Sequence, residues 1–161
     1  MKMYKNTVRA VNAKDYTPSQ IEVWAEGAEN KARWESAINE QYFVLAEDNT
    51  PLPSDQTEGL TDSLPSQEGN KLLAGFASIA KDGYLDFMYV SKDHQRCGVA
   101  SVLLDEIEKK ALEQNNKEIY SHVSKTAKGF FLRRGYEHVK DIEDPYKGEI
   151  FINALMIKKL N

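Results

Sequence analysis

The stretch YLDFMYVSKDHQRCGVASVLLDEIEKKA, residues 84–111, holds a strand, a turn and a helix that the rest of the chain is built around. Its opening, 84–90, is apolar or aromatic apart from Asp86 and reads as a strand. From Val99 onward, Val99, Leu103, Ile107 and Ala111 repeat at helical spacing, with Val102 expected on the same side. Asp105–Lys109 and Glu106–Lys110 stand four apart in the favourable orientation on the other faces. Between strand and helix lies the turn Gln95-Arg96-Cys97-Gly98-Val99-Ala100. A helix start of this kind can hold an anion, because its first N–H groups lack intrahelical partners and the macrodipole is positive there. Gly98 would let a phosphate approach the backbone, and Arg96 adds a mobile positive charge. Taken alone, the pattern fits equally a glycine chosen for tight helix-on-sheet packing.

On its N-terminal side, KLLAGFASIAK (71–81) precedes the 84–90 strand across Asp82-Gly83, a strong hairpin signal. QYFVLAE (41–47) is aromatic and branched, hence a strand. Thr17 as N-cap, Pro18 at the first helical position and Gln20 form a capping box for a helix over 17–25, with Tyr16 and Ile21 as hydrophobic staple. A second helix covers 30–39, and TVRAVNA (7–13) alternates well enough to read as a short strand. Downstream, 118–123 reads as a strand and 126–134 as a short helix, with Gly135 at its C′ position. Two more strands follow over 136–142 and 149–159. The expected order, β-α-α-β-β-β-α-β-α-β-β, describes one α/β (α+β) domain with helices packed on a mostly antiparallel sheet of about seven strands.

Composition bounds the function. A single domain is the expectation for 161 residues, and the one cysteine, Cys97, excludes an intramolecular disulfide or a CxxC zinc site. His94, His122 and His138 are scattered without metal-ligand spacing, so no metal is expected. No apolar run approaches the roughly 18–20 residues of a membrane span, and no apolar segment follows the N-terminal lysines. A cytoplasmic protein is the expectation. Residues 49–70 hold three of the five prolines and four acids with no Lys or Arg, and read as a loop: a surface insertion, a lid or a partner-binding segment. The formal charge of −4 belongs entirely to it, since the rest holds 21 Lys+Arg and 21 Asp+Glu. Net charge therefore argues neither for nor against an anionic ligand. The expectation of no nucleic-acid partner rests on the lack of a recognisable motif.

The 84–111 run resembles the signature of the GNAT superfamily of N-acetyltransferases. That signature is a strand with an apolar-aromatic end, then Gln/Arg-x-x-Gly-x-Gly/Ala at a helix start, and Gln95, Gly98 and Ala100 occupy its fixed positions. SKTAKGFFLRRGYEHV (124–139) resembles the family's C-terminal helix and following strand, with Gly135-Tyr136 where Gly-Phe is usual. DYTPSQIEVWA followed by KARWE, and the closing MIKKL, resemble a bacterial subgroup of small members. The resemblance implies helices on both faces of the sheet and splayed central strands forming a coenzyme A cleft, with acetyl-CoA as co-substrate. Its pyrophosphate would sit on the backbone N–H groups of Cys97, Gly98, Val99, Ala100 and Ser101, with Gln95 and Arg96 also binding the cofactor, and its pantetheine arm would run along Met88, Tyr89 and Val90. Ser124 stands where many members have Asn near the arm, and Phe131 lies on the wall close to the thiol. The implied reaction is direct attack of an amine, from a small molecule or peptide, on the thioester. A backbone N–H would hold the oxyanion.

An acceptor arriving as ammonium must first lose a proton. Asp86, the one ionisable residue in its strand, reads as base or amine anchor, or else as a structural carboxylate bonded to a neighbouring strand or Arg. Many relatives use a Tyr as general acid where this chain has Phe131; Tyr89 is a substitute donor or an aromatic wall residue. Cys97 at a helix N-terminus is a weaker candidate for a covalent role. Trp24 and Trp34, on the first two helices, are core residues or the acceptor-site wall. Two other readings stay open: an acyl-CoA-binding module that turns over slowly or not at all, and an interaction protein using the acidic loop. A homodimer is compatible with the resemblance.

Overall fold

The computed structural model describes residues 2–50 and 72–161. Three helices come first, α1 (Lys2–Val11), α2 (Pro18–Ala25) and α3 (Lys31–Glu40), then strands β1 (Tyr42–Asp48), β2 (Leu72–Ile79) and β3 (Leu85–Val90). α4 (Val99–Glu113), β4 (Glu118–Val123), α5 (Lys128–Arg133), β5 (Glu137–Tyr146) and β6 (Glu149–Lys159) complete the order. Among the described residues the strands form two antiparallel sheets, ordered β1-β2-β3 and β4-β6-β5. No helix among them is long and apolar enough to cross a membrane.

The sheets meet where β3 and β4 run side by side in parallel. Tyr84 and Tyr120 form an isolated bridge, with the Tyr120 N–H donating to the Gly83 carbonyl at 3.1 Å. The Tyr120 hydroxyl donates to Asp82 at 2.6 Å, and the Ser121 hydroxyl to the Leu85 carbonyl at 2.7 Å. Beyond this corner no main-chain ladder among the described residues joins the two strands, so they diverge and leave a gap.

One helix holds both sheets. On α4, Leu103, Leu104, Ile107 and Ala111 are buried against Ala77, Ile79 and Leu85 of the first sheet and Ile119, Val123, Ala154 and Met156 of the second. Each buried Leu or Ile there contributes about 1.5–3 kcal/mol. The opposite face is covered by Tyr4, Val8, Ile21 and Trp34 from α1–α3, packed on Phe76, Phe87 and Phe151. Helices therefore lie on both faces, as expected. The capping box at Thr17 is present in full. At the end of α5, Gly135 has φ +83°, Gly135 N–H reaches the Leu132 carbonyl and Tyr136 N–H the Phe131 carbonyl. The Phe131 and Tyr136 rings meet edge-on at 5.0 Å and complete a Schellman motif.

Several expectations are corrected. Residues 7–13 are not a strand but the end of α1 and a 3-10 turn. Their alternation is too short to fix the period: starting from Tyr4, the buried Tyr4, Thr7 and Val8 are spaced three and four apart on one helical face. The count is accordingly six strands among the described residues rather than about seven. Val102 is 60% exposed, and Leu104 is buried in its place, because the sheet lies on the other side of the Leu103 row. Asp105 pairs with Arg134 and Lys110 with Glu113, rather than along the expected i,i+4 rungs. β5 continues to Tyr146, past the expected end at 142. The loop expected over 49–70 lies, from residue 51 on, outside the described residues.

Candidate active site

The gap between β3 and β4 opens into a cleft of about 880 Å³, and its walls follow from three local features. The first is a bulge in β3. Ser78 pairs with Phe87 and Ile79 with Leu85, which makes Asp86 the extra residue. The bulge turns Asp86 and Phe87 to one face, where Asp86 meets Arg33 and Phe87 stacks on Trp34 at 4.5 Å. It also breaks the ladder, and the Phe87 N–H donates to Ser78 Oγ at 3.3 Å. The Ser78 hydroxyl donates to Gln41 Oε1 at 2.7 Å, and the Gln41 amide to Asp86 Oδ2 at 2.7 Å. Arg33 donates to both Asp86 oxygens, at 2.6 and 2.5 Å. The Asp86 side chain is only 7% exposed, so this pairing is what makes a buried carboxylate tolerable.

The second feature is the free edge of β3. Ser91 N–H donates to the Ala74 carbonyl and Tyr89 pairs with Phe76, so alternate residues turn their main-chain groups to β2. Met88 and Val90 turn theirs the other way, into the gap. The Val90 carbonyl accepts from the Thr7 hydroxyl at 3.0 Å and the Gln95 amide at 2.9 Å. The Met88 groups and the Val90 N–H face the cleft.

The third feature is the start of α4. Gly98, with φ +82°, is its N-cap, and the first helical bond runs from Val102 N–H to the Gly98 carbonyl. The N–H groups of Val99, Ala100 and Ser101 therefore lack intrahelical acceptors. Nothing lies within 4 Å of where a Gly98 Cβ would stand, so this surface can be approached closely. Gln95 holds the turn in place through the carbonyls of Val90 and Ser91.

Of the residues singled out from sequence, Trp24, Asp86, Met88, Tyr89, Val90, Gln95, Arg96, Gly98, Val99, Ala100, Ser101, Ser124 and Phe131 line this one cleft. Cys97 does not; it is exposed, its thiol donating to the Gln95 carbonyl at 3.3 Å. Trp34 is 6% exposed within the core under Phe87, its indole N–H donating to the Gly27 carbonyl, and it does not line the cleft either. Trp24 donates to the Tyr89 hydroxyl at 3.1 Å and meets Phe151 edge-on. Burial pushes the Tyr89 phenol up to about 12. Phe131 is buried against Tyr136, and Ser124 Oγ accepts from the Ala127 N–H at the turn into α5. Among the described residues no group of His, Cys, Asp and Glu is placed to hold a metal ion.

The sequence matches the acetyltransferase (GNAT) domain family over residues 56–153. The chain belongs to the GNAT acetyltransferase family. It is 30% identical over 153 residues to YafP, an uncharacterized N-acetyltransferase of Escherichia coli (strain K12), covering 92% of this chain and 82% of that protein. In fold it is similar to a GCN5-related N-acetyltransferase from Rhodopseudomonas palustris, with a TM-score of 0.80 at 24% identity over 99% of this chain and 86% of that one. It is also similar to the PaiA N-acetyltransferase of Thermoplasma acidophilum, solved with coenzyme A, with a TM-score of 0.66 at 18% identity over 99% and 89% of the two chains. As a GNAT member the chain is an acetyl-CoA-dependent acyltransferase.

Sequence reasoning missed part of this GNAT cleft. Asn153, Asp144 and Tyr146 line it too. Asp144 and Tyr146 lie past the expected strand end at 142, flanking Pro145, which β5 tolerates because it is an edge strand. Arg33 lies inside α3, one residue before Trp34, with nothing local to mark it. Its spacing from Asp86 carries no local signal.

Proposed function

We propose that this chain transfers the acetyl group of acetyl-CoA to a primary amine of a small molecule or peptide by direct attack on the thioester. The observation that carries this reading is the meeting, in one cleft, of the bare α4 N-terminus at Gly98 with the outward edge of β3. The unpaired N–H groups of Val99 to Ser101 suit a diphosphate, with Gln95 holding their turn and Arg96 adding charge. Cys97 serves only through its main chain. The Met88 and Val90 edge suits the amide-bearing arm, and an N–H there suits the oxyanion. Ser124 and Phe131 flank the arm on the far wall, and Trp24 borders the acceptor.

Magnitudes separate the candidate proton carriers. A phenol at about 12 is a weak donor to a thiolate whose ordinary value is about 8.5, so Tyr89 acts as a wall held by Trp24. Direct attack needs no strong acid at the Phe131 position for the same reason. Asp86 already accepts from Arg33 and Gln41, and its role in this reading is to fix the bulge and the charge of the wall. The test is acetyl transfer itself: acetyl-CoA is incubated with a panel of primary amines, and thiol release is matched to acetylated product by mass spectrometry. Matched release of both supports the reading. Binding of acetyl-CoA without release on any amine would overturn it.

A further inference from the structure

Across the gap from Asp86, the second sheet presents a polar group of its own. Strand alternation sends Ile119 and Val123 of β4 into the α4 core and leaves His122 on the opposite face, in the cleft. β6 and β5 present Asn153 and Asp144 beside it, and the Asn153 amide donates to Asp144 Oδ2 at 2.6 Å. His122 Nδ1 stands 3.8 Å from the same oxygen, a charge-pairing distance rather than a hydrogen bond. The Tyr84 ring meets the imidazole edge-on at 5.7 Å.

The two cleft carboxylates are not equivalent. Asp86 is matched by Arg33, whereas Asp144 has no Lys or Arg partner among the described residues and is faced by His122 and Asn153. Asp144 stands opposite Phe151 in the β5–β6 ladder and next to Pro145 and Tyr146, and Trp24 lines the same cleft, so this carboxylate shares its cleft with apolar and aromatic groups. A cation with an apolar body satisfies both surfaces.

We propose that His122 is the base that deprotonates the acceptor, that Asp144 is its positioning residue, and that the acceptor is a primary ammonium on an apolar or aromatic body. The proposal rests on the acetyltransferase reading above. With Nδ1 turned to Asp144, Nε2 is left to take one proton from R–NH3+. The freed nitrogen pair attacks the thioester carbonyl carbon, and the C–S bond breaks. A second nitrogen proton passes to the departing thiolate, giving the amide and coenzyme A thiol, and the imidazolium returns its proton to water. The ionisable groups facing the imidazole are Asp144 and Tyr146 from β5, Tyr84 from the β2–β3 turn, and the Asp86–Arg33 pair across the cleft.

The experiment follows acetylation of phenethylamine by acetyl-CoA from about pH 5.5 to 9, with acetyl-CoA-induced thermal shift measured alongside. H122Q is expected to lower kcat/KM by about 10²-fold or more and to lose the acid-side fall of the wild-type profile. H122A should regain rate with added imidazole. D144N should raise KM and lower kcat without rescue by imidazole, because the base is still present and only the carboxylate that faces it is lost. All three variants should keep the thermal shift. A wild-type pH profile in H122Q, or no imidazole rescue, overturns the base. Unchanged KM and kcat in D144N overturn its positioning role. Wild type that binds acetyl-CoA yet leaves phenethylamine untouched overturns the acceptor class. Absence of any acetyl-CoA shift in wild type would instead remove the underlying reading.

Discussion

Phe131 and Tyr89 show how far a single residue can be read. Phe131 matches a motif position and does line the cleft, because the short helix before Gly135 places it there through local caps. Trp24 and Trp34 could not be told apart: both sit on predicted helices, and only the packing of those helices on Phe76, Phe87 and Phe151 sends one to the cleft and the other to the core. Asp86 stood out as the lone charge in its strand, but its partner Arg33 lies 53 residues away and no spacing announces it. Y89F removes a phenol that accepts from Trp24, meets the Tyr4 hydroxyl and packs in the wall, so kcat should fall by much less than the about 10²-fold expected for loss of a general acid. Steady-state kinetics decides this, and a loss of that size with KM unchanged would return the proton to Tyr89.

At the scale of elements, the β3 bulge depends on a buried hydroxyl. Ser78 is fully buried and serves two partners, the Phe87 N–H and the Gln41 side chain. S78A leaves both short of a partner, which costs about 1–3 kcal/mol and loosens Asp86. Urea unfolding should show that loss, and acetyl transfer should fall with it; unchanged stability would mean the bulge is held some other way. Asp48, at the end of β1, supports the loop before α4 through His94 at 3.0 Å. Bonds from the Thr50 hydroxyl, from His94 and from the Thr50 N–H hold its carboxyl down to about 2, against about 3.9 in an unfolded chain. A carboxylate lowered by folding contributes stability above its unfolded value and loses it as pH falls through the folded one. Wild type should therefore exceed D48N in urea midpoint at about pH 6, and the gap should close between about pH 4 and 2. A gap independent of pH would contradict the assignment. Elements with their own caps and turns, α2, the β2–β3 hairpin and α5, were legible in sequence. α1 was not, because seven residues of alternation fit a helix as well as a strand.

For the molecule as a whole, the fold is two three-stranded sheets joined at Tyr84–Tyr120 and spanned by α4. That arrangement could not be read from strand patterns, since a splay is the absence of a ladder and leaves no periodicity. The motif at Gln95, Gly98 and Ala100 pointed to it only through its family. The formal charge balance outside residues 49–70 is neutral, so attraction for an anionic donor must come from the helix start and not from the protein's overall charge. The most direct test of that claim is the melting temperature of wild type and G98D with and without acetyl-CoA. At one hundred times Kd a ligand bound only by the folded state adds about 2.7 kcal/mol, roughly 5–10 °C for a chain of this size. Wild type should show that rise. G98D, which sets a carboxylate into the open space before Val99, should melt cooperatively and show none. An equal rise in G98D, or no rise in wild type, would contradict the cleft as the acetyl-CoA site.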